Sequence, residues 1–70
     1  MENFSLEGKD FIPLCDLLKI TGLCESGGQA KMIISDGSVK VNGEVETRKR
    51  CKIYAGSKIE FLGSIIKVLE

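Results

Sequence analysis

Two segments of the chain place apolar residues at the three- and four-residue spacing of an amphipathic helix. In the first segment the apolar positions are Leu14, Cys15, Leu17 and Leu18. Asp16 and Lys19 fall between them, on the side that we expect to face water. The pattern predicts a first helix over about residues 13–21, with Pro13 in its first turn and Gly22 as the left-handed residue that ends it.

The second segment begins with a capping box. Ser26 and Gln29 have the S-x-x-Q spacing in which each side chain accepts a hydrogen bond from a free backbone N–H near the helix start. The apolar positions that follow are Ala30, Ile33 and Ile34. We therefore predict a second helix that begins at Ser26, buries this stripe in the core and ends at Gly37.

After the second helix the apolar period becomes that of a strand. Residues 39–41 alternate Val-Lys-Val, and the Asn42-Gly43 pair that follows is well suited to the positive φ values of a type I′ turn. The chain is predicted to return through residues 44–46, so this segment forms a β-hairpin.

Further strands are predicted over residues 3–6, 58–62 and 65–69, with Gly63-Ser64 as the turn between the last two. The first is short and is expected at a sheet edge. With 70 residues, of which 43% are hydrophobic, the chain is expected to form a single domain over residues 1–70 with one core. The predicted fold class is α+β, with two short helices packed on a small, mostly antiparallel sheet.

The charges are balanced in number but not in position, since the chain carries 10 basic and 10 acidic side chains. Residues 1–25 hold two lysines and five acidic residues, a balance of −3. Residues 26–52 hold six basic and three acidic residues, a balance of +3. The neutral total therefore conceals a basic segment, which is the kind of surface that binds phosphate groups.

This basic segment contains the candidate site. Gly27 and Gly28 leave the start of the second helix open, so a phosphate can approach its free N–H groups; alternatively, the two glycines only shape a tight turn. The basic side chains are Lys31, Lys40, Arg48, Lys49, Arg50 and Lys52. We expect them to converge on one side, away from the main acidic cluster, although a solvated surface is the alternative.

Three other side chains allow two interpretations each. Asn42 first serves the turn, where its side chain makes a positive φ tolerable, and only secondarily would it contact RNA. Met32 either packs against a base or fills a gap at the core. Tyr54 either stacks on a base or forms the rim of the core.

The cysteines and the missing histidines argue against metal or catalytic chemistry. Cys15, Cys24 and Cys51 form no CxxC pair, and the chain has no histidine, so we expect no metal, no cofactor, no disulfide and a reducing cytoplasm. The sequence contains no nucleophile elbow and no Walker loop, so we expect that the protein is not an enzyme. A redox-responsive Cys24, its thiol pKa lowered by the helix dipole, is the alternative. We predict neither a secretory signal nor a membrane span.

Three segments, GGQAKMII, SDGSVKVNGEVETR and AGSKIEF, resemble the alpha-L RNA-binding motif, the domain type named after ribosomal protein S-four. The resemblance extends over about residues 13–61 and is closest to small stand-alone members. It implies a non-catalytic module that binds structured RNA, ribosomal or transfer RNA, across the second helix start and the hairpin. The contacts that it implies are Gly27, Gly28, Gln29, Lys31, Lys40, Asn42, Arg48 and Arg50.

Two other functions stay open. The acidic face of residues 1–25, or an exposed sheet edge, would suit a protein-interaction adaptor, which need not exclude RNA binding. Two short helices joined near Gly22 also have the outline of a helix-turn-helix DNA binder. The second helix disfavours this, because it begins with two glycines where base-reading side chains are expected and continues at once into a hairpin.

Overall fold

A computed structural model describes residues 2–70. In chain order the elements are β1 (Glu2–Ser5), β2 (Ile12–Pro13), α1 (Leu14–Ile20), α2 (Gly27–Ser35), β3 (Val39–Val41), β4 (Glu44–Val45), β5 (Lys52–Ile53), β6 (Lys58–Phe61) and β7 (Ser64–Leu69). Five strands form one sheet in the order β1-β7-β6-β3-β4, and β2 pairs with β5 in a second, two-stranded sheet. β1 is parallel to β7, and the other pairs are antiparallel. The predicted α+β class and the edge position of the first strand are confirmed.

The core lies between the two helices and one face of the larger sheet. Its largest fully buried side chains are Leu14, Leu17, Leu18, Ile34, Ile53, Ile59, Ile66, Val39 and Val68. Both predicted helical stripes are confirmed, with Ala30 fully buried and Ile33 partly so. Asp16 and Lys19 are exposed, as the helical period predicts.

The helix ends follow the predicted glycines. Gly22 and Gly37 adopt φ values of 82° and 80°, in the left-handed region that favours glycine. Pro13 is not in the first turn of α1, as predicted, but is the extended residue immediately before the helix. The reason is that Pro13 also belongs to β2, where it pairs with Lys52.

Two tight turns connect the antiparallel strands of the larger sheet. Asn42 and Gly43 have φ values of 53° and 88°, which confirms the predicted type I′ hairpin. The turn between β6 and β7 consists of Leu62 and Gly63, with φ values of 49° and 81°. The predicted Gly63-Ser64 turn is therefore wrong by one residue, because Ser64 already pairs with Phe61 in the ladder. Leu62 occupies this left-handed position with its side chain 85% exposed.

The small sheet of β2 and β5 has no counterpart in the sequence prediction. Each strand has only two residues, with Ile12 opposite Ile53 and Pro13 opposite Lys52. A strand of two residues is too short to show a hydrophobic period, so the pairing is set by tertiary contact alone. The β2–β5 pairing fastens the basic segment to the beginning of α1. Neither helix within residues 2–70 has the length and apolar content needed to cross a bilayer.

Candidate nucleic-acid interface

The start of α2 is capped by its own side chains. The Gln29 backbone N–H donates to Ser26 Oγ at 3.1 Å, and the Glu25 backbone N–H donates to Gln29 Oε1 at 2.7 Å. The predicted reciprocal capping is confirmed, although the second bond reaches the residue before the cap. Gln29 is therefore held in place by the fold, with its amide oxygen already engaged.

Gly27 and Gly28 begin α2 with an ordinary helical backbone, neither having a positive φ. A Cβ built on Gly27 would meet no atom within 4 Å, and one on Gly28 would meet only Ser26 Oγ at 3.9 Å. The fold would therefore accept a side chain at either position, which weakens the interpretation that the glycines exist to shape a turn. What they provide is an uncovered backbone at the positive end of the helix.

The basic loop over residues 48–52 is docked on the beginning of α1. The Cys15 N–H donates to the Lys49 carbonyl at 3.1 Å, and the Leu14 N–H donates to the Cys51 carbonyl at 2.9 Å. These bonds satisfy N–H groups that the first helical turn would otherwise leave free. The loop backbone is thereby fixed on the buried residues that begin α1, while the side chains of Lys49, Arg50 and Lys52 remain exposed.

The docked loop brings three predicted cations together. Arg48, Arg50 and Lys52 line one open hollow of about 540 Å³, together with Cys51 and Tyr54. Lys52 is further held by an aromatic ring, since its Nζ lies 5.0 Å from the Phe11 ring centroid. This hollow brings together three of the predicted basic site residues.

An acidic residue lies inside this basic group. Arg48 Nε donates to Glu46 Oε2 at 2.9 Å, and Arg48 Nη2 donates to Glu46 Oε1 at 3.0 Å. Mainly through the side-chain hydrogen bonds of Arg48, the pKa of Glu46 is lowered to about 2. The expected separation of acidic from basic residues is therefore incomplete, and one edge of the Arg48 guanidinium is already occupied.

Lys40 is not on the same side as the helices, which corrects the expected convergence. Val39 is fully buried beneath the helices, so the alternation of β3 directs Lys40 to the opposite, solvent face of the sheet. Its neighbours across the ladder are Glu60 and Val45. Lys31, by contrast, is exposed on α2.

Asn42 serves the structure first, as predicted. Its N–H donates to the Lys58 carbonyl at 2.8 Å, and its Oδ1 accepts from the Lys58 N–H at 2.9 Å. The side chain thus ties the hairpin turn to β6. Asn42 lines a second hollow with Lys58 and Lys67, separate from the hollow of the basic loop.

The cysteines of the chain are free thiols, two of them buried and Cys51 partly buried. Burial raises the pKa of Cys24 rather than lowering it, which opposes the redox-responsive alternative. Burial and the neighbouring Glu46 carboxylate also raise the pKa of Cys51. Within residues 2–70 no three His, Cys, Asp or Glu side chains are grouped so that they could hold a metal ion.

Comparison with known proteins gives consistent matches over nearly the whole chain. The S4 domain family matches residues 4–69. YbcJ of Escherichia coli is 54% identical over 69 residues, covering 99% of both chains. The solution structure of YbcJ, described as revealing an alpha-L motif involved in RNA binding, has 53% identity and a TM-score of 0.78 and covers 100% of this chain and 89% of that one.

A larger protein contains a similar segment. The tyrosine–tRNA ligase of Nitrosospira multiformis is 38% identical over 58 residues, which is 83% of this chain and 14% of the ligase. This chain therefore matches a small part of that enzyme and nearly all of YbcJ. As its helix-start and hairpin motifs predict, the chain belongs to the S4 domain family.

Proposed function

We propose that this chain is a non-catalytic module that binds structured RNA through phosphate and shape contacts. The observation that carries the proposal is the hollow in which Arg48, Arg50 and Lys52 meet on a loop docked to α1. A fixed loop backbone removes the cost of ordering the loop on binding, and half or more of the protein hydrogen bonds to nucleic acids are made to phosphates and sugars.

The relatives support the same class of partner. The YbcJ structure is described by a motif involved in RNA binding, and the ligase that shares the segment acts on a transfer RNA. We therefore propose ribosomal or transfer RNA as the partner. A cytoplasmic location agrees with three free cysteines.

The proposed contact residues differ in which groups they leave free to bind RNA. Gly27 and Gly28 offer backbone N–H groups, while Lys31, Lys49, Arg50 and Lys52 offer exposed charges. Arg48 contributes the edge of its guanidinium that Glu46 leaves free, and Gln29 contributes only its amide nitrogen. Lys40 and Asn42 contact the same RNA if it extends around the β4 edge to the outer face of the sheet.

The salt dependence of binding to a structured RNA tests this proposal. If about four cations contact phosphates, the slope of log K against log salt is about −3, at roughly −0.7 to −0.9 for each phosphate. Replacing Lys31, Arg48 and Arg50 together by alanine should lower the affinity and flatten the slope. The matched controls are doubles: the alanine double at Lys9 and Lys19, exposed lysines outside the proposed contacts, is compared with the alanine double at Lys31 and Arg50. A salt-insensitive affinity, or an equal loss in the two doubles, contradicts the proposed site.

The same assay separates the other functions. Tighter binding to duplex DNA than to structured RNA at one salt concentration would favour a helix-turn-helix reader. A protein partner recovered from cells that survives both nuclease treatment and the basic triple substitution would favour an adaptor acting through the acidic face. Recovery of ribosomal particles that is lost after nuclease treatment supports the proposal.

A further inference from the structure

Tyr54 belongs neither to the core nor to the partly buried side chains packed against it. It is 51% exposed, although it directly follows Ile53, which is almost fully buried. Its ring lines the hollow that contains Arg48, Arg50 and Lys52. Packing of the core therefore does not explain an aromatic side chain at this position.

The ring is nevertheless held in place by a neighbouring ring. Phe11 and Tyr54 have centroids 5.9 Å apart, with their planes inclined by 53°, in the tilted arrangement that aromatic pairs prefer. The two residues meet because they flank the β2–β5 pair, in which Ile12 lies opposite Ile53. Tyr54 also begins a backbone turn, since the Ser57 N–H donates to its carbonyl at 3.2 Å. An exposed ring with a fixed position is suited to stacking.

The charges around Tyr54 differ on its two sides. One hollow that it lines contains Arg48, Arg50 and Lys52, whereas the other contains Lys9, Asp10 and Glu70. A phosphate is attracted only to the first. The aromatic ring and the cations therefore line one hollow. A single nucleotide can place its base on the ring and its phosphate beside the cations.

We propose that this hollow is a subsite for one unpaired nucleotide, whose base stacks on Tyr54 while its phosphates contact Arg50 and Lys52. The inference rests on the proposed RNA binding and adds a preference for where on the RNA the domain binds. Bases inside an A-form helix are stacked on each other, whereas those of bulges and loops can turn outward onto an aromatic side chain. Stacking tolerates any base, so the preference is for an unpaired position and not for a sequence.

The test compares two RNA hairpins that differ by one bulged nucleotide. We expect the natural protein to bind the bulged hairpin at least about fivefold more tightly, the lower limit for stacking of one base. Tyr54→Leu should lose this preference while keeping its affinity for the paired hairpin. The matched control, Tyr54→Phe, should keep the preference because it keeps the ring.

A second measurement requires no substitution of the ring. Tyr54 is the only tyrosine of the chain, so incorporation of 3-fluorotyrosine gives a single fluorine NMR signal from this position. The signal should shift with the bulged hairpin and much less with the paired one. Equal binding of both hairpins by the natural protein, or a preference that survives Tyr54→Leu, overturns the subsite and leaves the proposed RNA binding intact. Binding of neither hairpin would instead refute the RNA binding on which it rests.

Discussion

Gly28→Ala should make the protein more stable and its RNA binding weaker. Gly28 lies in α2 with helical backbone, and a Cβ there would meet only Ser26 Oγ, at 3.9 Å. Replacing a glycine whose conformation alanine can adopt stabilises a protein by about 0.4–1 kcal/mol, chiefly by reducing the freedom of the unfolded chain. For a domain of this size, that corresponds to a rise in Tm of roughly 2–8 °C.

The same methyl group occupies the surface where a phosphate would approach the helix start. A hydrogen bond to a charged group is worth about 1.5–3 kcal/mol, so loss of one such bond lowers the affinity for RNA by roughly tenfold or more. Thermal unfolding followed by circular dichroism and RNA titration at one salt concentration measure the two effects on the same sample.

Ser35→Ala is the control, because Ser35 is exposed in the last turn of the same helix. It should raise stability slightly and leave the affinity unchanged. A lower Tm for Gly28→Ala would refute the helical placement of Gly28. A higher Tm with unchanged affinity would show that RNA does not approach the backbone here and that the basic side chains alone bind it.

Further predictions concern the turn after α2, the ion pair and the core. Gly37→Ala should destabilise the fold by about 1–2 kcal/mol in urea unfolding, because Gly37 has a φ of 80°, which strains any residue that carries a Cβ. Carbon NMR should find the Glu46 carboxyl titrating near pH 2. In Arg48→Ala its pKa should rise but stay below 4.5, because the backbone N–H of residue 48 still donates to Glu46 Oε2. Because the folded pKa is the lower one, this stabilisation is complete above the unfolded pKa of about 4.5 and is lost as the pH falls towards 2. Glu46→Gln should steepen the salt dependence of RNA binding by about 0.7–0.9, one phosphate contact. Ile34→Ala should cost about 2–5 kcal/mol and leave the domain largely unfolded by circular dichroism, since a domain of this size holds only about 3–5 kcal/mol.

The parts of the fold that the sequence predicts are those specified by neighbouring residues. The capping box at Ser26, the two left-handed glycines that end the helices and the Asn42-Gly43 turn each depend on local chemistry, and each is confirmed. The turn at Leu62 was mispredicted because leucine is an unusual residue at a positive φ. Its position is decided by the register of β6 against β7, which no local pattern reveals.

The candidate site was predicted by residue type but not by arrangement. The basic residues were visible in the sequence, whereas the docking of the loop on α1 depends on carbonyl bonds to Leu14 and Cys15. The alternation of Val39 and Lys40 did contain the signal that places Lys40 on the outer face, since a residue next to a buried one in a strand points away from the core. The E-T-R spacing of Glu46 and Arg48 was likewise visible, but the bidentate contact depends on the conformation of the loop.

The ion pair between Glu46 and Arg48 would allow a neutral chain to present a specific phosphate site. Glu46 removes one unit of attraction, yet it holds the guanidinium of Arg48 side-on, with the side chain itself 76% exposed. A fixed guanidinium can receive a phosphate in one geometry, whereas a free one contacts phosphates in many. The carboxylate thus weakens the general attraction of the loop for phosphates and fixes the orientation of the Arg48 guanidinium. We expect a surface built in this way to select RNA by the position of its phosphates, and a steeper salt dependence in Glu46→Gln would be the measurable sign.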